Sequence, residues 1–237
     1  MSPIGREELL TLLRSSDLLC QIPDHEIDAL ATRVRRVQCP RGQLIFMKRD
    51  EGTEVMFVAE GRVKIVSTSP TGTEVIHNII EAGQVFGEMA LLDGLPRSAD
   101  AIAAVDSEIV ELSRHDFLDV MRRNPETAIQ MMAILCGRIR QSTSFVEDAV
   151  LLDSGTRLLH RLKTLADPYG SDGVDGGLRI DHKLSQQEIG ESVGMTRVSV
   201  NRILSQWTND GLIEHGRGYV VIHELAKLEL AVESARG

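Results

Sequence analysis

The amino-acid sequence predicts an α+β chain of two modest domains: an all-β barrel or sandwich, one long helix, and a terminal domain of short helices with a β-hairpin. Three observations carry that prediction. Short apolar runs punctuated by glycine fill residues 42–113, a helical pattern with alternating three- and four-residue steps follows Pro125, and a capped helix pair with a Gly-rich hairpin occupies the last third. A length of 237 residues suits two domains, each able to close its own core.

The elements follow in chain order. Helical patterns at Arg6 to Arg14 and Asp24 to Arg33 come first, the second opened by Pro23-Asp24. Leu44-Ile45-Phe46, Val55 to Val58, Val63 to Val66 and Glu74-Val75-Ile76 then read as strands. Gly42, Gly52, Gly61, Gly72, Gly83 and Gly87 recur roughly every ten residues, the turn rhythm of an antiparallel barrel rather than of a βαβ sheet. Beyond Pro125, Met132, Leu135, Ile139, Ser142, Val146 and Ala149 form a heptad seam. Such a seam beside a closed barrel either pairs with a second copy of the chain across a two-fold axis, the reading preferred, or packs on the barrel of its own chain. Asp153-Ser154-Gly155 interrupts the helix as a hinge, Leu158, Leu159, Leu162 and Leu165 resume a helical stripe, Asp167 to Gly173 reads as a polar loop, and Gly177 to Ile180 as a short strand.

The last third is legible residue by residue. Ser185 and Glu188 make a capping box, with Leu184 and Ile189 placed as its hydrophobic staple. Gly190 permits close approach of a second helix, Gly194 supplies the turn, and Thr196 caps a helix whose Val200, Ile203, Leu204 and Trp207 form one buried stripe. Its other face shows Arg197, Val198, Asn201, Arg202 and Ser205, with no acidic residue between Thr196 and Thr208. Arginine suits guanine, asparagine adenine, and valine the thymine methyl, so the face has the chemistry of base reading; the bland alternative is a solvated polar side. The hairpin from Gly211 to Ile222 completes a winged helix-turn-helix, with Arg217 at its tip either a phosphate contact or a solvated loop residue.

Charge and cysteine bound the rest. The net charge is −9, and residues 141–237 carry ten basic against fourteen acidic side chains, so DNA would be met by a local cationic face, not by bulk charge. Cys20, Cys39 and Cys136 fit neither a disulfide framework nor a metal-ligand spacing, which points to a reducing cytoplasm, and no run is long enough to cross a bilayer. With no P-loop, nucleophile elbow or paired metal motif, an enzyme is disfavoured.

The densest signal of the first half is Val85 to Asp100, VFGEMALLDGLPRSAD, where a glutamate and an arginine share one short loop. Two readings stay open from the residues alone. Backbone N–H groups, the Arg97 fork and the Ser98 hydroxyl can converge on a phosphate while Glu88 accepts from a sugar hydroxyl, or Glu88 and Arg97 form a structural ion pair.

Phe86-Gly87-Glu88 followed by Pro96-Arg97-Ser98-Ala99 resembles the phosphate-binding cassette of cyclic-nucleotide-binding domains, and residues 15 to 225 resemble the cyclic-AMP receptor protein (CRP/FNR) family of bacterial transcription regulators. The resemblance implies a jelly-roll-like sensor barrel at 1–127, a dimerisation helix and hinge at 128–153, and a winged helix-turn-helix at 154–237. It implies cyclic AMP held by Gly87, Glu88, Met89, Arg97 and Ser98, Glu88 on the ribose 2′-hydroxyl and Arg97 with Ser98 on the cyclic phosphate. Ser142-Thr143 stands in reversed order where the family's Thr-Ser pair meets the adenine amino group, and Asp153 matches the hinge aspartate. The implied DNA contacts are Ser185, Thr196, Arg197, Val198, Asn201, Arg202 and Arg217, and the implied partners are double-stranded DNA, a second copy and RNA polymerase. Where the family reads bases with Arg, Glu and Arg, this sequence has Arg197, Val198 and Arg202, so the target sequence does not carry over. The cysteine cluster of the iron-sulfur branch is absent, and His77, His115 and Cys136 read as ordinary residues rather than haem ligands, so no metal, haem or iron-sulfur cluster is expected.

Overall fold

Apolar residues on both faces of one strand explain the first unit. In the computed structural model, which describes residues 5–70, 74–173, 177–181 and 184–234, the run Val55 to Val58 lies in strand β3 (Glu54–Glu60), buried at all four positions. Val55 and Phe57 pack under helices, while Met56 and Val58 face the interior between two sheets. A strand covered on both faces reads as a continuous apolar run instead of an alternation.

Around it, β1 (Arg35–Cys39), β8 (Ser107–Ser113), β3 and β6 (Val85–Phe86) form one antiparallel sheet, while β2 (Leu44–Phe46), β7 (Asp100–Ala103), β4 (Arg62–Thr68) and β5 (Glu74–Glu81) form the other. The sheets close on Cys39, Met56, Val63, Ile80, Phe86, Ala101 and Ile109. Helices α1 (Arg6–Ser15), α2 (Asp24–Leu30) and α4 (Arg114–Arg123), with the start of α5 (Pro125–Leu151), cover the outer face of the first sheet through Leu13, Ile27, Phe117 and Met131. Gly61 turns β3 into β4 at φ +90°, where a Cβ would meet Ser107 and the Asp106 carbonyl within 3 Å. Gly72 of the turn rhythm lies outside the described residues.

The chain forms two compact units, Met1–Arg140 and Gln141–Gly237, the division falling within α5. The large exposed apolar side chains of α5 are Ile129, Met132, Ile139, Val146, Val150 and Leu151. With Cys136 and Thr143, also exposed, the first five complete a stripe of alternating three- and four-residue steps. This corrects the sequence-derived seam, because Leu135 is drawn with Ile134 onto the sensor core. The row Met132, Ile139, Val146 is common to both seams; a 3,4 pattern can be completed on either side of such a row, and burial chose the side of Cys136 and Thr143.

The second unit begins with α6 (Ser154–Tyr169), capped by Asp153, whose carboxylate accepts from the backbone of Gly155 (2.8 Å) and Thr156 (3.1 Å) and from the Thr156 hydroxyl (2.6 Å). The polar loop expected at Asp167 to Gly173 is instead the last turn of α6 followed by β9 (Gly170–Asp172). Buried Leu158, Leu159, Leu162 and Leu165 anchor that helix, and the Gly170 amide still donates to the Ala166 carbonyl, so the helical turn persists across Pro168. β10 (Leu178–Ile180) joins β9 to the hairpin β11 (Ile213–Gly216) and β12 (Tyr219–Ile222) in a four-stranded sheet. Between them lie α7 (Gln186–Glu191) and α8 (Arg197–Asn209), and α9 (Leu225–Ser234) closes the unit.

Candidate functional site

The cassette is built by a strand that stops at a glycine. β6 ends at Phe86, Gly87 takes φ +77°, and the short helix α3 (Glu88–Asp93) begins at Glu88. A Cβ on Gly87 would sit 2.7 Å from an Arg97 guanidinium nitrogen, so the turn needs glycine for its backbone angle and for the arginine beside it. Arg97 is 4% exposed. Its two terminal nitrogens donate to the carbonyls of Gly87 (2.6 Å) and Glu54 (2.8 Å), and the guanidinium carbon lies 4.3 Å from the Phe46 ring centroid. Its backbone is clamped as well: the Arg97 amide donates to the Asp50 carbonyl, and Arg49, held at φ +78°, donates to the Arg97 carbonyl.

The third nitrogen of the fork, Nε, is buried without a hydrogen-bond acceptor. Burial pushes the guanidinium pKa down, while Glu54, Glu88, Asp50 and Glu111 hold it up from a distance. A buried cation met by neutral carbonyls and left with an open donor is costly to keep. Ser98 beside it is exposed, its hydroxyl donating to the Met89 sulfur at 3.7 Å.

Glu88, 1% exposed, does not pair with Arg97. Its carboxylate meets Arg138 of α5 at 2.5 Å, and Arg138 also donates to the Val85 carbonyl. Of the two sequence readings, the Glu88 to Arg97 ion pair is therefore the one the structure sets aside. Arg138 is the residue that sequence reasoning missed: it stands fifty positions from Glu88, and its only local signal is a positive charge beside Ile139. Ser142 and Thr143 both lie exposed on α5, Thr143 on the apolar stripe and Ser142 off it.

In the second unit the caps are as predicted. The Glu188 amide donates to the Ser185 hydroxyl (3.2 Å), the Ser185 amide to the Glu188 carboxylate (2.7 Å), and the Ser199 amide to the Thr196 hydroxyl (3.2 Å). A Cβ on Gly190 would come within 2.6 Å of the Met195 carbonyl, which explains how closely α7 meets the turn into α8. Val200, Ile203, Leu204 and Trp207 are buried. Arg197, Val198, Asn201 and Arg202 are all exposed, and among the described residues the three polar ones make no side-chain hydrogen bond or ion pair. Arg217 projects from the hairpin tip between Gly216 and Gly218, equally unpaired. Beneath it Arg179 lies 4.5 Å over the Tyr219 ring, and the Tyr219 hydroxyl donates to Glu214 at 3.1 Å, which raises the phenol pKa and braces the hairpin.

The sequence model of the cyclic nucleotide-binding domain matches residues 36–124, and that of the Crp-like helix-turn-helix domain matches residues 156–231. The Cyclic AMP receptor protein of Thermus thermophilus is 30% identical over 217 residues, covering 92% of this chain and 97% of its own length. The chain belongs to the CRP/FNR family. Other family relatives are the CRP-like cAMP-activated global transcriptional regulator of Mycobacterium tuberculosis, 29% identical over 85% of this chain and 90% of its own, and the Global nitrogen regulator of Nostoc sp., 30% identical over 78% and 83%. The fold is also that of a CooA mutant from Carboxydothermus hydrogenoformans, with TM-score 0.75 at 21% identity over 85% of this chain and 88% of that one. FixK2 from Bradyrhizobium japonicum superposes with TM-score 0.71 at 20% identity, over 83% and 96%. This CRP/FNR member is thus a DNA-binding transcription regulator with a cyclic-nucleotide-binding domain, and its relatives are regulators, not enzymes. Among the described residues no helix is long and apolar enough to cross a membrane, and no three metal-ligating side chains gather.

Proposed function

We propose that the protein is a homodimeric, cytoplasmic regulator gated by cyclic AMP, which binds a pseudo-palindromic promoter site and acts on RNA polymerase. One observation carries the effector half: Arg97 is a buried cation beside the cassette turn, oriented by two neutral carbonyls and with its Nε unsatisfied, a charge that a singly charged cyclic phosphate would complement. Arg97 and Ser98 hold the phosphate in this reading, with the backbone of Gly87 and Met89 lining the turn. Glu88, fixed by Arg138, accepts from the ribose 2′-hydroxyl. Ser142 and Thr143 take the adenine amino group, so that occupancy is felt on the helix whose apolar stripe meets a second copy. Residues 1–127 serve as the sensor, 128–153 as the dimerisation helix ending at the Asp153 hinge, and 154–237 as the DNA-binding domain. There Arg197, Val198, Asn201 and Arg202 face bases, while Arg217 and the helix starts at Ser185 and Thr196 face phosphates.

A second reading keeps the fold but answers to cyclic GMP or another ligand, or acts without one. It is favoured by the naming of a 30% identical relative as a nitrogen regulator, at the same identity as the cyclic AMP receptor protein. Calorimetric titration of the purified protein with cyclic AMP and cyclic GMP tests both. Saturable binding of cyclic AMP, tighter than cyclic GMP, is expected; binding of neither would overturn the first reading.

A further inference from the structure

Val198 is 77% exposed, the most exposed large apolar side chain among the described residues. It sits at the second position of α8, while the buried stripe of that helix uses Val200, Ile203, Leu204 and Trp207, so Val198 adds nothing to the core. A single exposed apolar residue is ordinary on a protein surface. Its place is what matters: the first turn of the helix that enters the major groove, beside Arg197, Asn201 and Arg202, all exposed and without partners among the described residues.

In the major groove only thymine, of the four standard bases, offers an apolar group, its C5-methyl, and 5-methylcytosine presents the same group at the same place. A valine on a helix is held almost entirely in one χ1 rotamer, so its isopropyl loses little freedom on contact. It also has no acceptor for the amino group of cytosine, which a glutamate would supply. Resting on the DNA-binding reading above, we infer that Val198 is a methyl-reading residue. The preferred half-site carries a thymine whose C5-methyl packs against Val198; where a promoter has cytosine at that base instead, 5-methylcytosine is bound more tightly than cytosine, so occupancy of that promoter is sensitive to cytosine methylation there.

The test uses the full-length protein, with cyclic AMP present and absent, on the duplex it selects from randomised DNA. Each thymine is replaced in turn by deoxyuridine, which removes only the methyl. One position should lose about four-fold in affinity when changed in one half-site and about fifteen-fold when changed in both. In Val198→Ala, checked for unchanged circular dichroism, that loss should vanish. With cytosine built into the same position, 5-methylcytosine should bind better than cytosine in the parent and equally in Val198→Ala. A flat deoxyuridine scan, or a loss that persists in Val198→Ala, overturns the inference while leaving DNA reading intact. Failure to select any motif overturns the DNA-reading proposal and this inference with it.

Discussion

The two units hold arginines in opposite surroundings. Arg97 is buried, backbone-clamped and aimed by the carbonyls of Gly87 and Glu54, whereas Arg197 and Arg202 stand exposed on α8 with no partner among the described residues. A small anion offers few contacts, so affinity comes from a cation whose desolvation and orientation were settled at folding. A DNA duplex offers many contacts, and its sequence is read by side chains that reach the base edges from the protein surface. Under the proposed function, the same guanidinium would be made specific by burial in one unit and by exposure in the other.

The comparison breaks most severely where buried charge is left alone. Arg138→Ala strands the buried Glu88 carboxylate and should cost about 3 to 5 kcal/mol of stability in the sensor unit, read as a lower midpoint in urea. Adding Glu88→Gln should restore a good part of it, since no charge then remains to strand. Next in size, Arg97→Ala should weaken cyclic AMP binding by about 2 to 5 kcal/mol, thirty-fold or more, with calorimetry as the readout. Affinity equal to the parent's would mean that the cassette holds no phosphate.

On the exposed side the effects are smaller and differ in kind. Arg202→Ala should lose about 1 to 3 kcal/mol on the selected site and little on random DNA. Arg217→Ala should weaken both alike and reduce the salt slope by about one, as measured by anisotropy over a range of salt concentrations. Smallest of all, Ser142→Val with Thr143→Val should cost about 1 kcal/mol of nucleotide affinity per lost hydrogen bond and blunt the ligand response of DNA binding. An unchanged response would reduce the pair to a polar patch on α5.

What could be read from the sequence divides along a similar line. The capping box of Ser185 and Glu188, the turn at Gly194 and the stripe from Val200 to Trp207 were legible because their partners lie within a few residues, as were the strands, through glycine spacing and apolar runs. The cassette loop was legible as a motif, but its wiring was not: the choice between Arg97 and Arg138 as partner of Glu88 depends on which helix closes over the barrel. Leu135 shows the same limit, since a heptad pattern gives the spacing of a stripe but not the neighbour that claims one side of it. Pro168 misled in the opposite sense, because a local break signal was overridden by four buried leucines that hold α6 together to Tyr169.

The central claim, that an anion seated on Arg97 governs what the arginines of α8 do, is tested most directly by titrating cyclic AMP into the protein bound to its selected duplex, for the parent and for Arg97→Ala. Affinity for the selected site should rise with cyclic AMP in the parent and stay flat in Arg97→Ala, with both proteins binding random DNA alike. A ligand response preserved in Arg97→Ala would contradict the account.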